Sequence, residues 1–335
     1  MASALCALTF CLSSERKIPA LRPRSPHYHT DSVLSVSWNP FVPSLLISSS
    51  ADGTIKLWNI DAKPAQHGGL EAMRSFEVHD DKVQSVAWNT SGVSLGAREG
   101  GEQHRSVVAS GGYDSKVKVF DVRLPSAVTS ITVAGEIEKI RWNPWRRENL
   151  IVSLDTGLVV SYDVDASQLG RVEAKSLWTL SAHESACTSV DVSPHLPGCI
   201  VTAGLDRQVK LWNIEGTDGK PKQITLVSAR DLGAGKVFAA AFSPDDVLTV
   251  AAAGSSGSVK VWDALNAKGV ADVFSTRLKK YLTKAGSTRR EPNRNATDTV
   301  VEVEQDEDEF EDEDEDRGEA GVTQAREEPN HTMDE

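Results

Sequence analysis

The sequence predicts an all-β chain made of five copies of one small antiparallel sheet, and two observations carry that expectation. The first is a spacing. Trp38 precedes Trp58, Trp142 precedes Tyr162, Val192 precedes Trp212 and Phe242 precedes Trp262, each by 20 residues. Trp88 precedes Phe120 by 32, which is the same unit carrying 12 more residues between its first two strands. The second is a pattern. The early segments read SVSWNP, SVAWNT, KIRWNP, SVDVSP and AAAFSP, and the later ones TIKLWNI, KVKVFDV, LVVSYDV, QVKLWNI and SVKVWDA. Apolar and polar residues alternate, β-branched residues are plentiful, and Gly, Asn, Asp or Ser punctuates the joins, as short antiparallel strands require.

The first unit opens at His29 and places Asp52 in the turn ADGT, six residues before Trp58. The second repeats this with His79, Asp114 and Phe120. Its extra residues lie in SGVSLGAREGGEQHRS, from Ser91 to Ser106, which reads as a tolerated flexible loop or as a binding loop. The third opens AGEIEK without a His, has Asp155 as its expected turn aspartate and carries Tyr162 in place of Trp. The fourth has His183, Asp206 in the turn LDRQ, and Trp212. The fifth opens AGKVFA without a His and has Ser256 where the turn Asp is expected, before Trp262. The two units without His are expected to be less rigid at that end.

A His placed 23 or 35 residues before an Asp, with an aromatic six residues further on, resembles the WD40-repeat family over residues 29 to 265. That resemblance implies a β-propeller of four-stranded blades, expected over 29–275. It also implies that the Asp, the His, a strand Ser or Thr and the Trp form a hydrogen-bonded set inside each blade. His29, Asp52, Trp58, His79, Asp114, Phe120, Asp155, Tyr162, His183, Asp206, Trp212 and Trp262 are then structural. The competing reading, a catalytic or metal-binding His–Asp pair, is disfavoured because the pair recurs in several blades and no one cleft collects them. Five blades are read as part of an incomplete seven-bladed ring, since closing at five needs different wedge angles. Pro19, Pro23 and Pro26 make residues 1–28, an irregular leader read as a non-native start, a poor closing strand.

The net charge of −12 conceals a division. Residues 301–335 hold 17 acidic and two basic side chains, leaving 31 acidic and 34 basic in the other 300. The run VEVEQDEDEFEDEDEDRGE has few apolar residues and reads as a disordered acidic tail, with contact to histones or other basic partners as its functional reading. Between blades and tail, RLKKYLTKAGSTRREPNR reads as a disordered basic linker within 276–335. Its Lys279-Lys280 and Arg289-Arg290 clusters suit nuclear import, contact with RNA phosphates, or plain solvation. The apolar start MASALCALTFCL lacks a basic leading region and is too short to span a membrane as a helix, so no membrane partner is expected. The four cysteines, at 6, 11, 187 and 199, show no pairing pattern and suit a reducing compartment.

Chemistry is sparse. No phosphate-cradling loop, zinc spacing or nucleophile elbow occurs, so neither catalysis nor a cofactor is expected. Function is expected on loops and blade surfaces. Trp145, Arg146 and Arg147 combine the residue types enriched in binding hot spots. Phe41 and His195 hold the place of Trp145 in other units, which reads as an aromatic packed beneath its own hairpin. Within the WD40 family, HTDSVLSVSWN, GGYDSKVKVFDVR and GEIEKIRWN are similar to members that act in ribosome biogenesis. That similarity implies a nucleolar scaffold in rRNA processing and 60S assembly, with pre-60S particles and assembly factors as partners and further repeats before His29. A chromatin adaptor binding histones at ribosomal DNA is the alternative.

Overall fold

The computed structural model describes residues 28–62, 70–90, 105–146, 148–165, 167–170, 174–216, 221, 223–267, 269–285 and 300–303. These form five four-stranded antiparallel sheets, the blades of a β-propeller. The first holds β1 (Val33–Trp38), β2 (Leu45–Ser50), β3 (Ile55–Asn59) and β4 (Arg74–Phe76). The second holds β5 (Val83–Trp88), β6 (Val107–Gly112), β7 (Lys116–Asp121) and β8 (Leu124–Thr132). The third holds β9 (Ile137–Trp142), β10 (Asn149–Leu154), β11 (Leu158–Asp163) and β12 (Lys175–Ser181). The fourth holds β13 (Ser189–Val192), β14 (Cys199–Ala203), β15 (Gln208–Glu215) and β16 (Gln223–Asp231). The fifth holds β17 (Val237–Phe242), β18 (Thr249–Gly254), β19 (Val259–Asp263) and β20 (Val300–Val303).

Strand alternation gives every blade two apolar faces. Trp38, Leu46 and Trp58 are cross-strand partners and share one face, while Ser37, Ile47 and Leu57 share the other. The second kind of face packs on the first kind of the next blade. Ile47, Ile55, Leu57 and Phe76 thus join Val86, Trp88, Val108 and Phe120 in one buried cluster. Polar groups lock the same seam: the Trp88 indole N–H donates to the Ser37 carbonyl at 3.1 Å and that of Trp142 to the Ala87 carbonyl at 3.3 Å. Further along, Arg141 pairs with Asp191 at 3.2 Å, and Asp191 accepts the backbone N–H of Phe242 at 2.9 Å.

The innermost strands pack in order, β1 on β5, β5 on β9, β9 on β13 and β13 on β17. Among the described residues no packing of that extent joins β17 to β1, so the blades form an open arc. The terminal faces reflect this. All of β1 is only half-buried, and the Trp38 indole donates at 2.7 Å to Pro43 of its own blade. On the fifth blade Ala251 and Val261 are half-buried, whereas their fourth-blade counterparts Val201 and Leu211 are 0% exposed.

The C-terminal stretch departs from the expectation of a disordered linker over 276–335. After β19 come a helical turn at Val270–Val273 and a helix at Ser275–Ala285. Val270, Phe274 and Leu278, four apart, are buried among Leu196, Leu211, Phe242 and Leu248 between the fourth and fifth blades. Arg277, counted as part of a solvated basic run, donates to the Pro197 carbonyl and the Asn213 side chain. Val300–Val303 then supplies the fifth blade's outermost strand, so the blades extend beyond 275. Charge concealed both elements, because the helix buries a stripe one residue wide and the strand abuts the acidic run. Residues 1–27 and 304–335 lie outside the described residues, as do Arg289 and Arg290. No described helix is long and apolar enough to cross a membrane.

Phe274 is 0% exposed and Phe238 is 44% exposed. Phe274→Ala is expected to cost about 3–5 kcal/mol in urea unfolding, and Phe238→Ala less than about 0.5 kcal/mol.

Candidate functional site

Three blades carry a directed hydrogen-bond relay. In the first, the Trp58 indole N–H donates to Ser48 Oγ at 2.8 Å, and Ser48 Oγ lies 2.7 Å from His29 Nε2. His29 Nδ1 lies 3.0 Å from Asp52, which also accepts the Thr30 and Thr54 backbone N–H groups. The fourth blade repeats this with Trp212, Thr202, His183 and Asp206, the His–Asp distance being 2.9 Å. In the second, His79 joins Ser110 at 2.8 Å and Asp114 at 3.1 Å, while Phe120 offers no N–H and packs on Phe76 at 5.2 Å.

A neutral imidazole protonated on Nδ1 satisfies the whole relay: indole to hydroxyl, hydroxyl to Nε2, Nδ1–H to carboxylate. A second ring proton would leave the hydroxyl hydrogen without its acceptor. Burial holds His29, His79 and His183 below the ordinary histidine range, outweighing the opposing pull of the aspartates. Asp52 sits at about 2: burial pushes it up, and hydrogen bonds from Thr54, Thr30 and His29 overcome that. These groups are spent on one another, which is a structural arrangement. Among the described residues no three His, Cys, Asp or Glu side chains gather as metal ligands. Cys187 and Cys199 are buried free thiols, and burial pushes Cys187 up to about 12.

The blades without His use a different device, and the expected role of Asp155 shifts. The backbone N–H of Asp155 donates to the Glu136 carbonyl, just as Ala51 donates to Ser32 and Leu205 to Ala186. Asp155 therefore stands one position before the turn aspartate, and Thr156 occupies that place. Its carboxylate instead accepts the Glu136 N–H at 2.8 Å. The fifth blade matches it, with Ser255 Oγ accepting the Lys236 N–H at 2.9 Å. Gly135 and Gly235 make room, since a Cβ on either would lie 2.4 or 2.3 Å from those oxygens. Aligning by sequence motif missed this one-residue offset; the paired AGE and AGK openings were the available signal. Tyr162 and Trp262 are buried in the positions expected of them.

The rings after proline do not stay beneath their own hairpins. The Trp145 indole N–H reaches the Ser193 carbonyl of the fourth blade at 2.8 Å. Phe41 lies under Arg105 of the second blade at 5.5 Å, and His195 meets Tyr281 of the C-terminal helix at 5.0 Å. Each ring therefore ties two elements together. Trp145 and Arg146 line a cleft of about 600 Å³ between the third and fourth blades, walled also by Trp178 and Arg277. Arg147 lies outside the described residues, as does most of Ser91–Ser106. Lys279 and Lys280 are exposed on the C-terminal helix.

Repeated four-stranded blades, three of them pinned by a His–Asp relay, define a WD40-repeat propeller, and the chain belongs to the WD40 family. The WD domain, G-beta repeat, matches residues 23–59, 70–121, 174–213 and 227–263, passing over the third blade. Full-chain comparison finds a WD repeat-containing protein of Schizosaccharomyces pombe, 35% identical over 77% of this chain and 44% of the relative. Periodic tryptophan protein 1 of Saccharomyces cerevisiae is 29% identical over 77% of this chain and 42% of its own length. Its Drosophila melanogaster homologue is 26% identical over 68% of this chain and 44% of its own. The chain thus spans less than half the length of these curated relatives.

Two outcomes test the framework. The unfolded chain binds protons more readily than the folded one at all three histidines, so stability is expected to fall as pH drops through about 6.5, histidine's ordinary value. A second loss is expected below about 4 as the unfolded-state partners of Asp52 and Asp206 protonate. Melting temperatures measured between pH 8 and pH 3 would be flat there if the relays contributed nothing. Separately, Asp155→Ala is expected to cost about 1–2 kcal/mol and Thr156→Ala less than about 0.5 kcal/mol; the reverse order would restore the turn-aspartate assignment.

Proposed function

We propose that this chain is a non-catalytic scaffold of ribosome biogenesis, acting in rRNA processing and 60S subunit assembly in the nucleolus, with pre-60S particles and assembly factors as its partners. The supporting observation is the similarity to periodic tryptophan protein 1 through the third blade. An alignment over 77% of 335 residues cannot avoid Ile137–Asp163, the stretch that the WD repeat match passes over. The likeness therefore includes the blade in which this chain departs most from the general repeat. The relays are consistent with a scaffold, because their polar groups are consumed internally and leave loops, clefts and blade faces for partners. Contact with RNA through exposed Lys279 and Lys280, and nuclear import through the same residues with Arg289 and Arg290, belong to this reading.

The test is sedimentation of the tagged chain with pulse-labelling of rRNA. The expected result is co-migration with pre-60S particles and accumulation of large-subunit precursors on depletion. A tag confined to the top of the gradient, with normal precursor ratios, would overturn the proposal. Removing Glu304–Glu335 separates it from the histone-binding alternative: particle association is expected to persist, whereas an adaptor working through the acidic tail would lose its partner. The cut falls at 304 because Val300–Val303 is needed by the fifth blade.

A further inference from the structure

The clefts between consecutive blades are equivalent, and the chain treats them unequally. Between the fourth and fifth blades the floor is Cys199, Leu211 and Phe242, and the chain's own Val270, Phe274 and Leu278 fill it. The corresponding floor between the first and second blades is Leu45, Leu57 and Trp88. Matching backbone bonds establish the correspondence: Leu45 and Cys199 pair with Asn59 and Asn213, and Val122 bonds to Ser106 as Ala264 bonds to Leu248. Yet this first cleft is open, with a volume of about 540 Å³, and Met73 at its edge is 55% exposed.

The reason lies in one connection. After β19, residues 264–299 separate the third strand from the fourth, long enough to send a helix into the cleft. After β11 the connection is also long, and it buries Leu169 between the second and third blades. After β7 only Val122 and Arg123 intervene before β8, so that connection has nothing to place in the first cleft. The rim changes with it. Arg105 and Arg123 stand where the filled cleft has Val247 and Leu265, and Arg74 adds a third guanidinium bonded to the Val122 carbonyl.

We propose that the cleft between the first and second blades is a docking site for an acidic amphipathic helix of a protein partner. Apolar side chains four apart would enter over Leu45, Leu57 and Trp88 as Val270, Phe274 and Leu278 enter the fourth cleft, and carboxylates beside them would meet Arg74 and Arg105. This is the helix-in-groove mode, with the chain's own C-terminal helix as the internal example. It does not depend on the ribosomal reading.

The probe is a fluorescent peptide reproducing Gly269–Ala285 with Arg277, Lys279, Lys280 and Lys284 replaced by Glu, titrated with the whole chain. Saturable, salt-weakened binding is expected, and Met73→Glu with Arg105→Glu should weaken it by about tenfold or more. Both residues are exposed, and an unchanged melting curve will show that the doubly substituted chain is folded. Absence of saturable binding, or binding indifferent to the substitutions, would overturn the proposal. So would cross-linking of the peptide to the cleft between the fourth and fifth blades, which means it displaces the resident helix. A concentration-dependent dimer abolished by Met73→Glu would put a second copy in the cleft, and tighter binding after deleting residues 92–103 would put that segment there; either also overturns it.

Discussion

Everything in this molecule depends on one contact: the face of a sheet that looks forward along the chain buried under the face of the next sheet that looks back. A four-stranded sheet with two apolar faces is unstable in isolation, and each blade solves this by lending one face to each neighbour. The seam is mostly aliphatic on the forward side and aromatic on the other, which is why a Trp or Phe recurs at the end of the first and third strands. The polar stitches add orientation. An indole N–H buried in such a seam requires an acceptor, and the preceding blade's carbonyl is within reach only when the sheets are in register.

That contact explains what was legible in the sequence. The aromatic interval is a direct print of strand length plus turn length, so Trp38, Trp58, Trp88 and Trp262 announced blades without any knowledge of their neighbours. The relays were equally readable where His and Asp keep their spacing. Asp155 was misplaced because a motif counts residues, whereas a turn counts hydrogen bonds; one residue more between Asp155 and Tyr162 than between Asp52 and Trp58 moved the carboxylate to another donor. The helix at Ser275–Ala285 was hidden by seven basic residues between 277 and 294, which suggested solvation and obscured a stripe of only three apolar positions. The bridging roles of Phe41, Trp145 and His195 depend on which element lies across from each turn, information that no local pattern contains.

The relays also separate rigidity from charge. A His–Asp pair at 2.9 to 3.1 Å looks like an ion pair, yet burial keeps each imidazole below its ordinary proton affinity. What stabilises the turn is a chain of neutral donors ending on one carboxylate, and its strength comes from having no unused hydrogen. The blades without His reach the same end more simply, a Gly and a shortened side-chain reach giving one bond where the others have several. Stiffness is thus distributed unevenly around the arc, and the seams on either side of the third blade are held by Arg141, Trp142 and Trp145 in compensation.

The long connection inside the fifth blade has a consequence for synthesis. Residues 264–299 emerge from the ribosome between β19 and its edge partner β20, whereas the second blade needs only two residues before its last strand can pair. Four blades can therefore close almost as soon as they are translated, each offering a finished face to the next. The fifth must wait with three strands, its outer backbone groups unpaired, while the helix is made. By seating Val270, Phe274 and Leu278 against the fourth blade first, the nascent chain covers apolar surface during that pause and holds the unfinished sheet in place until Val300–Val303 arrives.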